Sequence, residues 1–381
     1  MSAKNKPALL LVADTFPPKV DGTVRFIEEF VSRAKDEFRI TALAPNFSGN
    51  KKLPIKTIFL PISKRIQPLP DYPTIKLSWS NLNKIKQAVK ESDIVFVQGP
   101  ALASLLALHY SKKYDKKSFF YLHVLPWELF EFSSSLPLRR LLAWLVKKMF
   151  LHSYNDVDNI IVPYSRLRDK LQEEGLNAKS AICHLGVDIS RFKPTKNKTE
   201  IRKKLKLPLN KKIIGYVGRI SPEKNIPTLF KAFRKLPGQK GLLLLLVGSG
   251  SKKEEAKFKK IPNCRITGFV DNVQEYLQAM DLFIMPSLTE TTSLATLEAM
   301  SSGLPVLATK VGYIQDYLVS GHNGQFFPKR NSSILSMKMY HLLSDKISCQ
   351  KLGENARRTA AYTFSWEKSI QRIKRVLKRE S

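Results

Sequence analysis

The feature that most constrains the fold is an alternation of short apolar runs with longer polar, helix-prone segments. Each run is almost wholly apolar rather than alternating apolar with polar residues, which is typical of strands that helices cover on both faces. The runs are ALLLVAD, RITALAP, DIVFVQG and SFFYLHV in the N-terminal half, and KKIIGYVG, GLLLLLVG and LFIMP in the C-terminal half. Strands that alternate with helices in this way form parallel sheets. We therefore predict an α/β fold built from doubly wound parallel sheets.

The length of the chain favours two domains, because 381 residues are enough for each domain to bury a core of its own. The first alternating series ends in the segment AICHLGVDISRFKP, and a charged, helix-prone segment leads to the second series. We place the boundary near Leu207, which gives domains of residues 1–207 and 208–360. The basic amphipathic segment 361–381 is predicted to form a C-terminal helix.

The most informative stretch covers residues 286–306 and contains two acids, Glu290 and Glu298, eight positions apart. A buried strand precedes it, and Thr292 or Ser293 can cap the helix that follows, so Glu290 lies on the turn and Glu298 one to two turns into the helix. A helix start favours an anion such as a diphosphate, because its N–H groups are unpaired and the helix dipole is positive there. The two carboxylates flank this anion site and are suited to accept hydrogen bonds from sugar hydroxyls.

This stretch resembles the Glu-x7-Glu signature of the retaining glycosyltransferases of family 4, which have the GT-B fold. Pro-Ser before the first acid and Glu-Ala-Met-x-x-Gly-x-Pro-Val after the second match the frame of that signature. The resemblance implies two Rossmann-like domains facing a cleft, with Glu290 on hydroxyls of the transferred hexose and Glu298 on the ribose of the nucleotide. It also implies that the turn binds the donor through Thr291, Thr292, Ser293 and Leu294. The alternative is an ordinary amphipathic helix with a solvated Glu298.

A pair of cations opens the second domain: Arg219 and Lys224 stand five positions apart after a strand that ends at Gly218. They resemble the family's Gly-Arg-x4-Lys element, which implies that they grip the donor diphosphate. Fixed cations stabilise the charge on a departing nucleoside diphosphate without a metal. The resemblance also implies that Phe269 and Val270 approach the nucleobase. The alternative is a chance pair of cations on a loop of a very basic chain.

Two positions of the first domain complete the set of candidate site residues. Gly22 precedes a helix predicted to begin near Thr23, and a residue without Cβ lets a phosphate approach the helix N-terminus. Family 4 enzymes often carry two glycines in this loop, and Asp21 replaces the first, so whether Asp21 faces the donor or the acceptor stays open. His123 ends a predicted strand, where open sheets bind ligands. By resemblance it contacts the transferred sugar or the acceptor; the alternative is a hydrogen-bonded structural histidine.

The charge balance suggests an anionic partner. The chain has 64 basic and 32 acidic residues, a net charge of +32, and such a protein associates with polyanions or anionic surfaces unless the lysines simply solvate its exterior. No helix-turn-helix, zinc-finger or ribonucleoprotein pattern is present, so we expect no nucleic-acid partner. No apolar run approaches the roughly 20 residues that a membrane span needs.

One segment, SSLPLRRLLAWLVKKMFLHSY, is predicted to form a basic amphipathic helix. Leucines from Leu138 onward, Met149 and Trp144 make a broad apolar face. The basic residues that bracket it are Arg139, Arg140, Lys147 and Lys148. Such a helix can lie in a membrane interface, and the aromatic loop PWELFEFSS before it can form part of an acceptor entrance. The alternative is a core helix whose basic residues face water.

We therefore predict a retaining, metal-independent glycosyltransferase that moves a hexose from a nucleoside-diphosphate sugar to an acceptor hydroxyl. The resemblance implies an acceptor domain at 1–207, a nucleotide-sugar domain at 208–360 and a final helix, 361–381, that crosses back to the first domain. The charge and the amphipathic helix favour a membrane lipid as the acceptor, with the enzyme peripheral on the cytoplasmic face of the cell membrane.

The alternatives are a soluble saccharide or small-molecule acceptor, a sugar-nucleotide epimerase or phosphorylase of the same fold, and a non-enzymatic basic protein that binds membrane or nucleic acid. We expect no cofactor and no metal. Three cysteines, Cys183, Cys264 and Cys349, are few and widely spaced, which fits a reducing compartment. The oligomeric state stays open.

Overall fold

The structure is a computed structural model that describes residues 6–19, 21–47, 49, 53–63, 74–128, 139–259 and 262–379. The contacts between its residues divide the chain into two compact units. The first unit contains Met1–Leu185 and Glu367–Ser381, and the second contains Gly186–Trp366. The boundary expected near Leu207 therefore lies inside the second unit. Arg357 ties the start of this segment to the second unit, because its guanidinium donates to the carbonyls of Ile189 and Phe192.

The first unit is built on a seven-stranded sheet whose neighbouring strands are all parallel. Its strands are β1 (Ala8–Val12), β2 (Arg39–Pro45), β3 (Lys56–Leu60), β4 (Ile94–Val97), β5 (Lys117–Tyr121), β6 (Asn159–Val162) and β7 (Ser180–Ile182). They lie in the order β3-β2-β1-β4-β5-β6-β7. Every residue of β1, β4 and β6 is buried, as the apolar runs predict.

The second unit is built on a six-stranded parallel sheet. Its strands are β8 (Lys212–Val217), β9 (Leu242–Val247), β10 (Cys264–Ile266), β11 (Leu282–Met285), β12 (Val306–Thr309) and β13 (Gln325–Phe327). They lie in the order β10-β9-β8-β11-β12-β13. The predicted pair of doubly wound parallel sheets is therefore confirmed.

Helices connect the strands of both sheets. In the described part of the chain they are α1 (Gly22–Ala34), α2 (Trp79–Lys90), α3 (Leu102–Lys113), α4 (Arg139–Asn155), α5 (Ser165–Glu173), α6 (Lys198–Lys204), α7 (Ile226–Arg234), α8 (Lys252–Lys259), α9 (Val273–Ala279), α10 (Leu294–Ser301), α11 (Ile314–Tyr317), α12 (Ser332–Ser344), α13 (Lys346–Thr363) and α14 (Trp366–Arg379). These crossovers return the chain to the same end of the sheet, which is why each sheet is parallel.

The C-terminal helix α14 packs on the first unit. The helix expected over residues 361–381 begins at Trp366, because α13 takes the first of these residues. The ammonium groups of Lys374 and Lys378 both donate to the carboxylate of Glu37, next to α1. Hydrogen bonds from Lys374 and then Lys378 lower the pKa of Glu37. The helix is therefore held by ion pairs as well as by its buried apolar side.

Each sheet has a point at which the strand order reverses along the chain. In the first sheet the reversal lies between β1 and β4, and in the second it lies between β8 and β11. Open α/β sheets bind ligands at such a point, beyond the carboxyl ends of the strands. The residues that follow these four strands are therefore the first places to look for a site.

Candidate functional site

In the second unit, the segments after β8 and β11 bring Lys224 and Glu290 into direct contact. The ammonium of Lys224 donates to Oε1 of Glu290 over 2.6 Å. The side chains are 19% and 8% exposed, so the pair is mostly shielded from water. Lys224 ends a short 3₁₀ turn, and the next residue, Asn225, has a left-handed backbone that redirects the chain into α7. The structure thus joins two of the predicted site residues from segments 66 positions apart.

Three further residues hold Glu290 in place. The hydroxyl of Ser287 donates to the same carboxylate oxygen over 2.7 Å. Ser287 is fully buried, and its carbonyl accepts a hydrogen bond of 2.5 Å from the Thr309 hydroxyl at the end of β12. Gly312 has a positive φ of 49°, and a Cβ there would collide with the carbonyl oxygen of Glu290. The carboxylate and its backbone are therefore fixed before any ligand binds.

Arg219 lies beyond the carboxyl end of β8, and half of its side chain is exposed. Its guanidinium is 3.2 Å from the carboxylate of Glu223, which also accepts a hydrogen bond of 2.6 Å from the Ser221 hydroxyl. The hydroxyl of Tyr216 donates to the Arg219 carbonyl over 2.7 Å. Burial raises the pKa of Tyr216 well above its usual value, and the carboxylates of Glu290 and Glu223 raise it further. The backbone of Arg219 is therefore held in place by Tyr216, while its side chain is half exposed.

The start of α10 differs from its predicted capping. Ser293 stands at the N-cap position with a left-handed backbone, and its side chain accepts no hydrogen bond from a backbone N–H group of the first turn. Its hydroxyl is instead 2.8 Å from the Thr296 hydroxyl. Thr292 is buried, and its hydroxyl has no hydrogen-bond partner among the described residues. The prediction of a side-chain cap is therefore wrong, and the first-turn N–H groups from Leu294 onward are not engaged by a side-chain cap.

Four further donor-binding candidates of the second unit lie around α10 and after β10. Glu298 is half-buried in the second turn of α10. Thr291 precedes the helix, and its carbonyl accepts a hydrogen bond of 2.8 Å from the Tyr313 N–H. Phe269 and Val270 follow β10 at the edge of the sheet, two strands from β8. The side chain of Phe269 is 55% exposed, so it can stack on a planar ligand.

In the first unit, α1 begins at Gly22 rather than Thr23, because Asp21 caps it. One carboxylate oxygen of Asp21 accepts from the Val24 N–H and the other from the Thr15 hydroxyl, each over 2.9 Å. The sequence left open whether Asp21 faces the donor or the acceptor. In the structure its side chain caps α1. A carboxylate therefore occupies the helix end that would otherwise favour a phosphate beside Gly22.

His123 follows β5 and is 9% exposed. Its Nε2 lies 2.9 Å from Oε1 of Gln98, a residue that directly follows β4. The Tyr121 ring stacks on the imidazole, and Phe26 of α1 meets it edge-on, with centroids 4.5 and 5.0 Å away. Burial lowers the pKa of His123 to about 3. The imidazole is therefore neutral near pH 7 and is suited to hydrogen bonding rather than to carrying a charge.

The predicted basic amphipathic helix corresponds to α4. Four of its apolar side chains are about half exposed: Leu141, Trp144, Leu145 and Met149. Lys148 is exposed, but Lys147 is half-buried and forms an ion pair of 2.8 Å with Glu174. This partner neutralises the charge of Lys147, and the part of Lys147 in membrane binding stays a prediction. Trp127 of the aromatic loop is buried rather than exposed.

Some of these predictions fall outside what the structure describes. Leu138 and the rest of residues 129–138 are outside the described residues, as are the side chains of Arg139 and Arg140. Within the described ranges, no helix combines the length and the apolar character that a membrane crossing requires. In the same part of the chain, no three His, Cys, Asp or Glu side chains cluster as a metal site would need.

Both units match models of known protein families. Residues 20–191 match the model of Glycosyltransferase Family 4, and residues 197–359 match that of Glycosyl transferases group 1. The chain belongs to the family 4 glycosyltransferases. The fold agrees with solved structures: HepE of Anabaena, in complex with UDP, superposes with a TM-score of 0.80 at 18% identity over 98% of this chain and 100% of that one. WaaG, a glycosyltransferase involved in lipopolysaccharide biosynthesis, gives 0.76 at 18% over 97% and 99%. The GT-B fold is thereby confirmed.

Curated relatives of this glycosyltransferase are similar over part of its length. Sulfoquinovosyl transferase SQD2 of Arabidopsis thaliana is 31% identical over 61% of this chain and 47% of its own. Alpha-monoglucosyldiacylglycerol synthase of Streptococcus pneumoniae is 28% identical over 51% and 50%. Putative teichuronic acid biosynthesis glycosyltransferase TuaC of Bacillus subtilis is 38% identical over 38% and 37%. The chain thus spans half or less of the length of these three relatives.

Sequence reasoning missed residues that contact the candidates, among them Ser287, Glu223 and Gly312 in the second unit and Gln98 in the first. Ser287 carried a usable signal, since Pro-Ser precedes the first acid of the signature. Glu223 and Gln98 carried none, because a lone acid or amide after a strand is common on protein surfaces. Their roles follow from the folded contacts alone.

Proposed function

We propose that this glycosyltransferase moves a hexose from a nucleoside-diphosphate sugar to an acceptor hydroxyl with retention at the anomeric carbon. The observation that carries the proposal is the mostly shielded ion pair of Lys224 and Glu290, which lies with Arg219 at the reversal point of the second sheet. Cations suited to a diphosphate and a carboxylate suited to sugar hydroxyls lie side by side there. A nucleotide sugar contains both of these groups in that order.

The same residues suit the departure of a nucleoside diphosphate. As the bond between the anomeric carbon and the phosphate oxygen breaks, negative charge gathers on the leaving group. Arg219, Lys224 and the first-turn N–H groups of α10 are fixed hydrogen-bond donors that stabilise this charge. The acceptor hydroxyl bonds to the carbon on the same face, and its proton passes to the leaving phosphate. Glu290 holds the hexose by its hydroxyls.

Known structures support a nucleotide-sugar donor. HepE has been crystallised with UDP, with UDP and glucose, and with UDP-glucose. Its likeness to this chain shows the fold, and the ligands are those of HepE. The proposal for this chain rests on the charges and contacts of its own second unit.

The test is a screen of nucleotide sugars for release of nucleoside diphosphate, with and without a membrane lipid extract. We expect release with one donor, stimulated by an acceptor, and a product with the anomeric configuration of the donor by proton NMR. A nucleotide sugar converted to its epimer without an acceptor would replace the proposal with an epimerase. A product with the opposite anomeric configuration would contradict retention and leave hexose transfer standing.

Activity is expected to persist in excess chelator. The charge on the leaving group is met by Arg219 and Lys224, and a bound divalent ion would need several oxygen ligands that these cations do not provide. Initial rates with and without EDTA, and after readdition of magnesium or manganese, measure the effect. A strict and specific requirement for one divalent ion would contradict metal-independent transfer.

We further propose a lipid acceptor and a peripheral enzyme on the cytoplasmic face of the membrane. The support is the half-exposed apolar face of α4, formed by Leu141, Trp144, Leu145 and Met149, together with the net charge of +32. A basic amphipathic helix with exposed Trp and Leu binds an anionic interface reversibly. Among the relatives, the name of the pneumococcal synthase refers to a glycolipid.

The enzyme is expected to pellet with anionic vesicles at low salt and to be released as salt rises. Replacing Arg139, Arg140 and Lys148 with Ser removes about 1 kcal/mol of attraction per residue, so partitioning falls on the order of 100-fold. Replacing Trp144 and Leu145 with Ser weakens binding at every salt concentration, because that contribution is apolar.

The control for the apolar variant is Ile347→Ser, since Ile347 is an 82% exposed apolar residue on α13 in the second unit. It is expected to leave vesicle binding unchanged. If the enzyme ignores anionic vesicles and glycosylates a soluble saccharide equally well without lipid, the soluble acceptor replaces the lipid.

A further inference from the structure

A buried polar pair lies at the reversal point of the first sheet. Gln98 directly follows β4, and His123 comes two residues after β5, so the carboxyl ends of neighbouring strands bring the two side chains together. Oε1 of Gln98 is 2.9 Å from Nε2 of His123. Gln98 is 1% exposed and His123 9% exposed.

The surroundings of the pair are largely aromatic. Phe26 and Tyr121 contact the imidazole, and the Tyr121 hydroxyl donates to the carbonyl of Cys183 over 2.7 Å. Neither the other ring nitrogen of His123 nor the amide nitrogen of Gln98 has a hydrogen-bond partner in the described part of the chain. Two polar atoms are therefore buried in one place without partners, which lowers stability and is uncommon outside functional sites.

The chemistry of these two atoms is fixed by their shared bond. If the imidazole donates from Nε2, its Nδ1 is an acceptor and the Gln98 amide nitrogen is a donor. If the amide is turned so that its nitrogen donates, the imidazole Nδ1 carries the proton and the amide oxygen is an acceptor. In both arrangements the pair offers one donor and one acceptor. Hydroxyl groups match this pattern, because each can both donate and accept.

We propose that Gln98 is a positioning residue: its amide, held in one orientation, keeps the His123 ring in place and in one neutral tautomer, so that Nδ1 binds a hydroxyl group of a sugar substrate. This proposal rests on the proposed function, since the hydroxyl belongs to a saccharide. Gln98 acts through His123 and does not touch the reacting atoms. The location fits, because open sheets bind ligands beyond the strands at their reversal point.

The first measurement is nitrogen NMR of protein labelled in its histidine rings. The chain has six histidines, and His123→Asn identifies the signal of interest. In the wild-type enzyme, we expect His123 to show one neutral tautomer that does not change between about pH 5 and about pH 8. Gln98→Leu should give mixed tautomers. Gln98→Glu keeps the size and an acceptor oxygen but adds a charge, so it should draw a second proton onto the ring.

The second measurement is kinetic. Gln98→Leu is expected to lower kcat/KM for sugar transfer by about tenfold or more, since a misplaced hydrogen bond to a hydroxyl discriminates strongly. The dissociation constant of the nucleoside diphosphate alone should not change, because Lys224 and Arg219 lie in the other unit. The control is Gln172→Leu, an exposed glutamine on α5. Thermal melting of each variant shows whether it folds. If Gln98→Leu does not fold, Gln98→Glu replaces it in the kinetic measurement.

The proposal is overturned by an unchanged His123 tautomer in both Gln98 variants, or by kcat/KM values for both that match the wild-type enzyme. A wild-type His123 that titrates near its usual pKa would also overturn it. Failure of the proposed function looks different. In that case the wild-type enzyme neither binds nucleoside diphosphate nor transfers sugar, while the tautomer of His123 still responds to Gln98.

Discussion

Glu290→Gln is expected to lower turnover by roughly 100-fold or more, about 3 kcal/mol of transition-state stabilisation. The carboxylate accepts hydrogen bonds from Lys224 and Ser287 and is 8% exposed, so its charge acts in a shielded site. An amide in its place loses the charge that holds Lys224 and accepts sugar hydroxyls more weakly. The measurement is kcat and kcat/KM with the preferred nucleotide sugar.

The control for this variant is Glu354→Gln, which removes an exposed carboxylate on α13 in the same unit and should leave the rate unchanged. Calorimetric binding of nucleoside diphosphate without its sugar should survive in Glu290→Gln, because both cations remain. A melting temperature near that of the wild-type enzyme excludes unfolding as the cause. Near-normal turnover in Glu290→Gln would refute the assignment of this carboxylate to the transferred sugar.

Arg219→Ala is expected to lower kcat by about 10²–10³, the usual cost of removing one fixed donor from developing negative charge. The Arg219 side chain is half exposed beyond the carboxyl end of β8. The Tyr216 hydroxyl holds the Arg219 carbonyl, and the Glu223 carboxylate holds its guanidinium. Because the lost interaction strengthens as the phosphate departs, kcat falls more than substrate affinity.

Arg219→Lys separates charge from geometry. It keeps one positive charge but loses the planar fork that binds two phosphate oxygens, so an intermediate rate is expected. Arg358→Ala, which removes an exposed arginine on α13, is the matched control. If Arg219→Ala retains most of the wild-type kcat, the leaving group is stabilised elsewhere and the role of this cation is wrong.

Lys224 and Lys147 illustrate which contacts of a side chain can be predicted from a sequence pattern. Lys224 is predicted to be a site residue from its spacing after Arg219, and the structure pairs it with another predicted site residue, Glu290. Lys147 is predicted to face a membrane from its place on a basic helix. Its position relative to Glu174 depends on how α4 packs against α5, which helical periodicity does not encode. A charge pattern therefore predicts a basic face, and packing decides which of its charges are paired with an acid.

The sequence by itself determined the two parallel sheets, because almost wholly apolar runs such as β1 and β4 can only be buried between layers of helices. It also determined the segments that carry Arg219, Lys224 and Glu290, since strand ends and turn residues are local features. The tertiary structure alone decided which side chains meet. Lys224 with Glu290, and Gln98 with His123, lie 66 and 25 positions apart and are brought together by strand order and packing, and no local pattern contains that information.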